Sequence, residues 1–315
     1  MQSARSGSPR GRRAAIAIFA IAIVAALLPP LAQAAPGPAG TLERVRQTGK
    51  LTLGYRADAR PFSYRDESGN PAGYSVALCQ RIAEEVRAEL GLSALAVEWM
   101  PVTPDDRFRA LREGKIHLLC GAATASLSRM KEVSFSIAIF PGGIGALLRA
   151  DASPALRDVL SRKPPSGPYW RAHPARILEG KTFSVVGGTT SERWLAGRLD
   201  TFQLTAKVVP VDGYEAGIRR VLDRSSDVFF GERAILLDIA RRDPSARDLA
   251  VLDRQFTYEP IALAFARGDE DFRLVVDRTL SRLFGSKEFG DLYAKWFGKP
   301  DEDARNFFRW TALPD

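Results

Sequence analysis

Two cysteines and two histidines in 315 residues remove whole classes of chemistry at the outset. Cys79, Cys120, His117 and His173 do not have the spacing of a zinc site, so neither a metal nor a cofactor is expected. Basic clusters interleaved with aromatics are lacking as well. The Lys and Arg residues are scattered among Asp and Glu along most of the chain, which argues against nucleic acid as a partner. Arginine outnumbers lysine 36 to 9. An arginine therefore carries information only inside a motif.

Only one long apolar run exists, residues 14–28, and it is too short for a crossing of about 20 residues. Arg5, Arg10, Arg12 and Arg13 precede it without an acid, and Pro29-Pro30 and Ala32-Gln33-Ala34-Ala35 follow. This is the order of a secretory signal peptide, expected over residues 1–34, which places the mature protein in the periplasm or another extracytoplasmic space. Cleavage after Ala34 leaves 281 residues, enough for two domains. The formal charge is +8, of which the four leader arginines supply +4, so the mature chain is only mildly basic. An exported chain with an even pair of cysteines allows a disulfide. Cys79 lies on the apolar stripe Cys79, Ile82, Val86, Leu90 of an expected helix, and Cys120 ends an expected strand. A Cys79–Cys120 bond and two buried free thiols both fit this pattern.

Strand and helix patterns alternate twice. The first series predicts strands at 51–55, 95–100 and 116–120 with helices at 74–90 and 105–113. After a proline-rich stretch at 164–168, the second predicts strands at 182–186, 207–211 and 227–230, with helices from Ser191 and between the last two strands. Short apolar runs between helices point to parallel sheets buried on both faces, one per lobe. The chain returns through 259–266 and ends in helices at 271–284 and 287–297, followed by a tail. The fold class is α/β, with two lobes that each carry an open sheet. In such sheets ligands bind beyond the carboxyl ends of the strands, where helix N-termini offer free N–H groups. Four segments occupy such positions: 56–64, 121–129, 187–192 and Gly231-Glu232.

The strings LTLGYRADARPFSYRDESGNPAGYSVALCQRIAEEV, VTPDDRFRALREGKIHLLCGAATASLSRMKEVSFS, GKTFSVVGGTTSERWL, DVFFGERAIL and EPIALAFARGD resemble, in that order, the family 3 solute-binding proteins of amino-acid ABC importers. Within the family, the glutamate/aspartate-binding members are the most similar. The resemblance implies a type II periplasmic-binding-protein fold with two hinge strands, lobe 1 being 41–143 plus 259–315 and lobe 2 being 144–258. It implies a monomer that hands glutamate or aspartate to importer membrane subunits and is not an enzyme. By the same resemblance Arg129 clamps the ligand α-carboxylate as a bidentate fork. Thr124 and Thr190 add donors, and Glu232, where aspartate is usual, receives the α-ammonium. Ala122 and Ala123 replace hydroxyls common in the acidic-amino-acid binders. Arg56 and Arg107 match arginines directed at the distal carboxylate. Phe62 is a wall of the ligand site or a core residue, and Thr103 and Pro104 are rim positions. Two other functions share the fold: a cyclohexadienyl-dehydratase-like enzyme using Glu232 as its acid, and a sensory module, which needs a membrane-linked effector.

Overall fold

The computed structural model describes residue 2 and residues 40–161, 174–242 and 247–314. The expected signal peptide, the stretch 164–168 and His173 lie outside the described residues. Helix α1 (Thr41–Thr48) ends at Gly49, whose φ of 66° is the left-handed cap that glycine adopts without a Cβ clash. Strand β1 (Lys50–Tyr55) then enters the first sheet. A small three-stranded sheet of β2 (Asp58–Ala59), β3 (Ser63–Arg65) and β4 (Pro71–Ala72) follows it.

Helix α2 (Tyr74–Glu89) buries Leu78, Cys79, Ile82 and Val86, one face at helical spacing. Cys79 is disulfide-bonded to Cys120, with Cα atoms 6.2 Å apart. The bond ties α2 to β6 (Leu118–Thr124), which pairs in parallel with β1, as β1 does with β5 (Ala96–Pro101). Between β5 and β6 lies α3 (Arg107–Arg112). The sheet is mixed rather than wholly parallel, because β13 (Glu259–Ala266) runs antiparallel to both its neighbours, β6 and β7 (Val133–Gly142), in the order β5-β1-β6-β13-β7.

The second sheet begins with β8 (Ile144–Arg149) and has the order β10-β9-β11-β8-β12. Its other strands are β9 (Thr182–Val186), β10 (Lys207–Val211), β11 (Val228–Glu232) and β12 (Leu249–Val251). Its described helices are α4 (Pro154–Ser161), α5 (Thr190–Thr201), α6 (Tyr214–Leu222) and α7 (Arg233–Arg242). Successive strand residues face opposite sides, so on β8 Ala146 and Leu148 join one core cluster and Leu147 the other.

The chain passes between the sheets at Gly143 and again through 252–258. The two passages touch. A Cβ on Gly143 would stand 2.0 Å from the Thr257 carbonyl oxygen. The Ile144 N–H donates to Thr257 Oγ1 at 3.0 Å, and Gln255 Nε2 donates to the Gly142 carbonyl at 3.1 Å. Helices α8 (Glu270–Phe284) and α9 (Glu288–Phe297) return onto the first sheet. The expected tail carries a further helix, α10 (Glu302–Thr311), capped by Asp301, which accepts from the Ala304 N–H at 2.8 Å. Its Phe308 packs on Phe284 and Phe289, and that burial is why the segment is helical rather than loose.

Candidate functional site

The carboxyl ends of β1 and β6 face those of β9 and β11 across a cleft, and the side chains beyond these strands line one cavity. Arg56 follows β1. Its backbone is clasped on both sides by buried Ser63, whose Oγ accepts from the Arg56 N–H at 2.9 Å and donates to the Arg56 carbonyl at 3.0 Å. Arg107 opens α3, and Arg129 opens the short 3-10 turn Arg129–Lys131 beyond β6. The three arginines are only 8, 5 and 7% exposed. Phe108 supports two of them, its ring centroid lying 4.6 Å from Arg107 Cζ and 5.1 Å from Arg129 Cζ.

Their partners differ. Arg56 is paired with Asp58 at 2.5 Å. Arg107 donates to the carbonyls of Pro104 and Gly188, and Arg129 to those of Thr124, at 2.9 Å, and Gly188. Among the described residues no carboxylate lies within ion-pair distance of Arg107 or Arg129. Burial lowers the Arg107 pKa to about 9, with Arg129 and Arg56 adding like-charge repulsion. Burial also lowers that of Arg129 to about 10, with Arg193 contributing. An arginine does not give up its proton in a protein, so the unfavourable field persists as an attraction for anions.

Two acids line the same cavity. The carboxylate of Glu232 accepts from the Gly143 N–H at 3.0 Å and the Ala234 N–H at 3.3 Å. Its pKa is raised to about 8, chiefly because the carboxyl is enclosed. The two N–H donors pull the other way, and neighbouring Glu259 raises it further. Glu259, at the start of β13, accepts from Thr190 Oγ1 and Thr257 Oγ1, both at 2.9 Å. Thr190 also meets Thr124 across the cleft, with hydroxyls 3.3 Å apart. Tyr214, whose hydroxyl accepts from the Glu232 N–H at 3.3 Å, closes this side. Burial raises its pKa.

Arg56, Arg107, Ala122, Thr124, Arg129, Thr190 and Glu232 therefore line one cavity, together with Ala123. Phe62 does not. It is wholly buried among Tyr74, Phe140 and Phe297, a core position. Thr103 donates its N–H to Asp106 Oδ1, and Pro104 supplies a carbonyl to Arg107, so both shape the turn before α3. His117 serves the backbone too, its Nδ1 accepting from the Thr52 N–H at 2.9 Å. Glu259 and Tyr214 are polar lining residues that sequence reasoning missed, and Ile144 and Ile235 are apolar ones. Glu259 is an acid opening an otherwise apolar strand, a signal visible in EPIALAFA. The cavity's free volume is about 40 Å³. That is space for a few waters.

Residues 51–299 match the profile of the bacterial extracellular solute-binding proteins, family 3. The L-glutamate/L-aspartate-binding protein of Pseudomonas aeruginosa is 29% identical over 293 residues, covering 91% of this chain and 89% of that protein. The glutamate/aspartate import solute-binding protein of Escherichia coli is 25% identical, covering 92% and 89%. Among solved structures, the cysteine-binding protein of Campylobacter jejuni superposes with a TM-score of 0.67 at 20% identity, over 84% of this chain and 96% of that one. An ancestral amino acid-binding protein, described as a precursor of cyclohexadienyl dehydratase, superposes with a TM-score of 0.66 at 24% identity, over 82% and 100%. This chain shares the type II two-lobed fold of these solved structures.

Proposed function

This chain belongs to the bacterial extracellular solute-binding proteins of family 3, which serve amino-acid ABC importers, and we propose that its ligand is an acidic amino acid, glutamate or aspartate. One observation supports this reading most: Arg107 and Arg129 are buried side by side with only neutral carbonyls for partners. Buried charges are ordinarily paired, and an anionic ligand is the pairing this arrangement lacks. Arg129 takes the α-carboxylate, Arg107 with Arg56 takes the distal carboxylate, and Glu232 or Glu259 takes the α-ammonium. The glutamate- and aspartate-binding relatives point the same way.

Binding closes lobe 1, residues 41–143 and 259–315, onto lobe 2, residues 144–258, about the passages at Gly143 and 252–258. Residues 1–34 act as a secretory leader, and the mature protein works as a periplasmic monomer that hands its ligand to the importer's membrane subunits. A second reading, dehydration of a prephenate-like acid, has its specific support in the enclosed carboxyl of Glu232. Incubation with prephenate separates the two, since a binder leaves it unchanged. The direct test is a thermal-shift screen of the mature protein against the standard amino acids. A ligand at 100 times its dissociation constant stabilises by about 2.7 kcal/mol. Glutamate and aspartate are expected to raise the melting temperature, and arginine, lysine and leucine to leave it unchanged. A shift from a basic amino acid alone refutes the acidic reading.

A further inference from the structure

The three cleft arginines are not equivalent. Arg107 and Arg129 use their hydrogen bonds on neutral carbonyls, whereas Arg56 directs Nε and Nη2 at one oxygen, Oδ1 of Asp58, at 2.9 and 2.5 Å. Asp58 does not line the cavity. It stands behind the guanidinium, on β2, with its other oxygen turned toward lobe 2. A Cβ built on Gly213 would lie 2.5 Å from Asp58 Oδ2. Gly213 precedes α6, whose N-terminus has no side-chain cap, and a carboxylate is favoured at such a position by the helix dipole. The φ of Gly213, −169°, is extended backbone that any residue adopts. What glycine provides there is room for the Asp58 carboxylate. Asp58 thus holds Arg56 of lobe 1 with one oxygen and lies next to the start of α6 in lobe 2 with the other.

We propose that Asp58 sets how strongly the cleft prefers a ligand with a second carboxylate over the corresponding amide. It is a positioning residue: a resident counter-anion that tethers Arg56 and takes up positive charge a dicarboxylate would otherwise use. This inference rests on the acidic-amino-acid reading above. A guanidinium carries one positive charge, and a carboxylate in contact with it leaves a distal ligand group facing a dipole rather than a cation. An amide loses little by this, because Arg56 Nη1 has no protein partner among the described residues and remains a donor. An acid loses the share of its Coulombic advantage that Arg56 would supply, and keeps that of Arg107. Specificity is a difference of two affinities, and Asp58 lowers one of them selectively.

The test compares wild type with Asp58→Asn, which keeps an oxygen on Arg56 but removes the charge, and with Asp58→Ala, which removes both. Dissociation constants for glutamate, aspartate, glutamine and asparagine are measured by calorimetry on the mature protein. Asp58→Asn is expected to raise the glutamate-to-glutamine affinity ratio by about tenfold or more. Asp58→Ala is expected to raise it less, because an untethered Arg56 holds the distal carboxylate less well. An unchanged ratio in Asp58→Asn, with glutamate still bound, overturns this inference and leaves the acidic reading standing. Equal gains in the two variants overturn the tethering role. A wild type that binds neither dicarboxylate overturns the acidic reading. In that event, acid binding gained by Asp58→Asn supports this inference, and none gained overturns it as well.

Discussion

Arg107 and Arg129 donate to the same acceptor, the carbonyl oxygen of Gly188, at 3.1 and 3.5 Å. Two cations from lobe 1 converge on one neutral group of lobe 2. Gly188 offers that carbonyl from a left-handed backbone, φ 67°, just ahead of α5, and a Cβ there would meet Asp105 Oδ1 at 2.6 Å. The carbonyl orients the guanidiniums without neutralising them. The field left over is what an anion would occupy, and it is costly to the empty protein.

Replacing one of the two should therefore stabilise the unliganded protein while destroying recognition. Arg129→Met keeps the bulk over Phe108 and removes a buried like charge. A gain of about 1 kcal/mol raises the melting temperature by about 2–4 °C in a protein near this size. The rise expected from glutamate in wild type should be absent in the variant. Thermal denaturation with and without glutamate checks both halves. A large fall in the unliganded protein would instead make the bond from Arg129 to the Thr124 carbonyl a structural tie.

The crossing at Gly143 carries a prediction of opposite sign. A methyl group on Gly143 meets backbone, the Thr257 carbonyl, which has no rotamer to escape into. Gly143→Ala should cost about 1–3 kcal/mol or more by overpacking. Urea denaturation reads the loss. Unchanged stability would mean that the two passages slide apart freely.

Much of the fold was legible because period and punctuation agree in it. The stripe Cys79, Ile82, Val86, Leu90 and the runs at 51–55, 182–186 and 207–211 specify their elements locally. The crossings at 143/144 and 258/259 were given by the family resemblance alone and not by the local pattern. Residues 133–149, VSFSIAIFPGGIGALLR, form one nearly continuous apolar stretch whose division at Gly143 is set by contact with Thr257, more than a hundred residues away. The antiparallel placement of β13 is likewise a tertiary choice. Helix α10 was within reach, since Asp301-Glu302-Asp303 is a start signal. In the site, Arg56, Arg107 and Arg129 came from motif positions. The pairing of Arg56 with Asp58, the role of Glu259 and the removal of Phe62 to the core depend on side-chain directions that one sequence leaves open.

Reduction tests the Cys79–Cys120 bond, which closes a loop of 41 residues between α2 and β6. Losing such a cross-link typically costs about 2–4 kcal/mol, in large part by freeing the unfolded chain. The melting temperature should fall on adding reductant, and Cys79→Ala with Cys120→Ala should melt at the lower value whether reductant is present or absent. Identical melting of oxidised and reduced wild type would show that the bond contributes nothing.

Glu232 gives the cleft a dependence on pH whose sign follows from its enclosure. Its folded pKa of about 8 stands above the ordinary 4.5, so the folded protein holds a proton that the unfolded chain has already lost. The associated stability is complete below about pH 4.5 and is lost as pH rises through about 8. Unliganded wild type should therefore lose melting temperature between about pH 5 and 8, and Glu232→Gln, still able to accept from the Gly143 N–H, should show a flatter profile over that window. An α-ammonium beside Glu232 favours the carboxylate, so binding near pH 7 should expel a proton and tighten as pH approaches 8. Calorimetry in buffers of different ionisation enthalpy detects the released proton. Its absence, together with affinity that does not vary with pH and is lost in Glu259→Gln, would assign the ammonium to Glu259 and leave Glu232 as the brace of the Gly143 crossing.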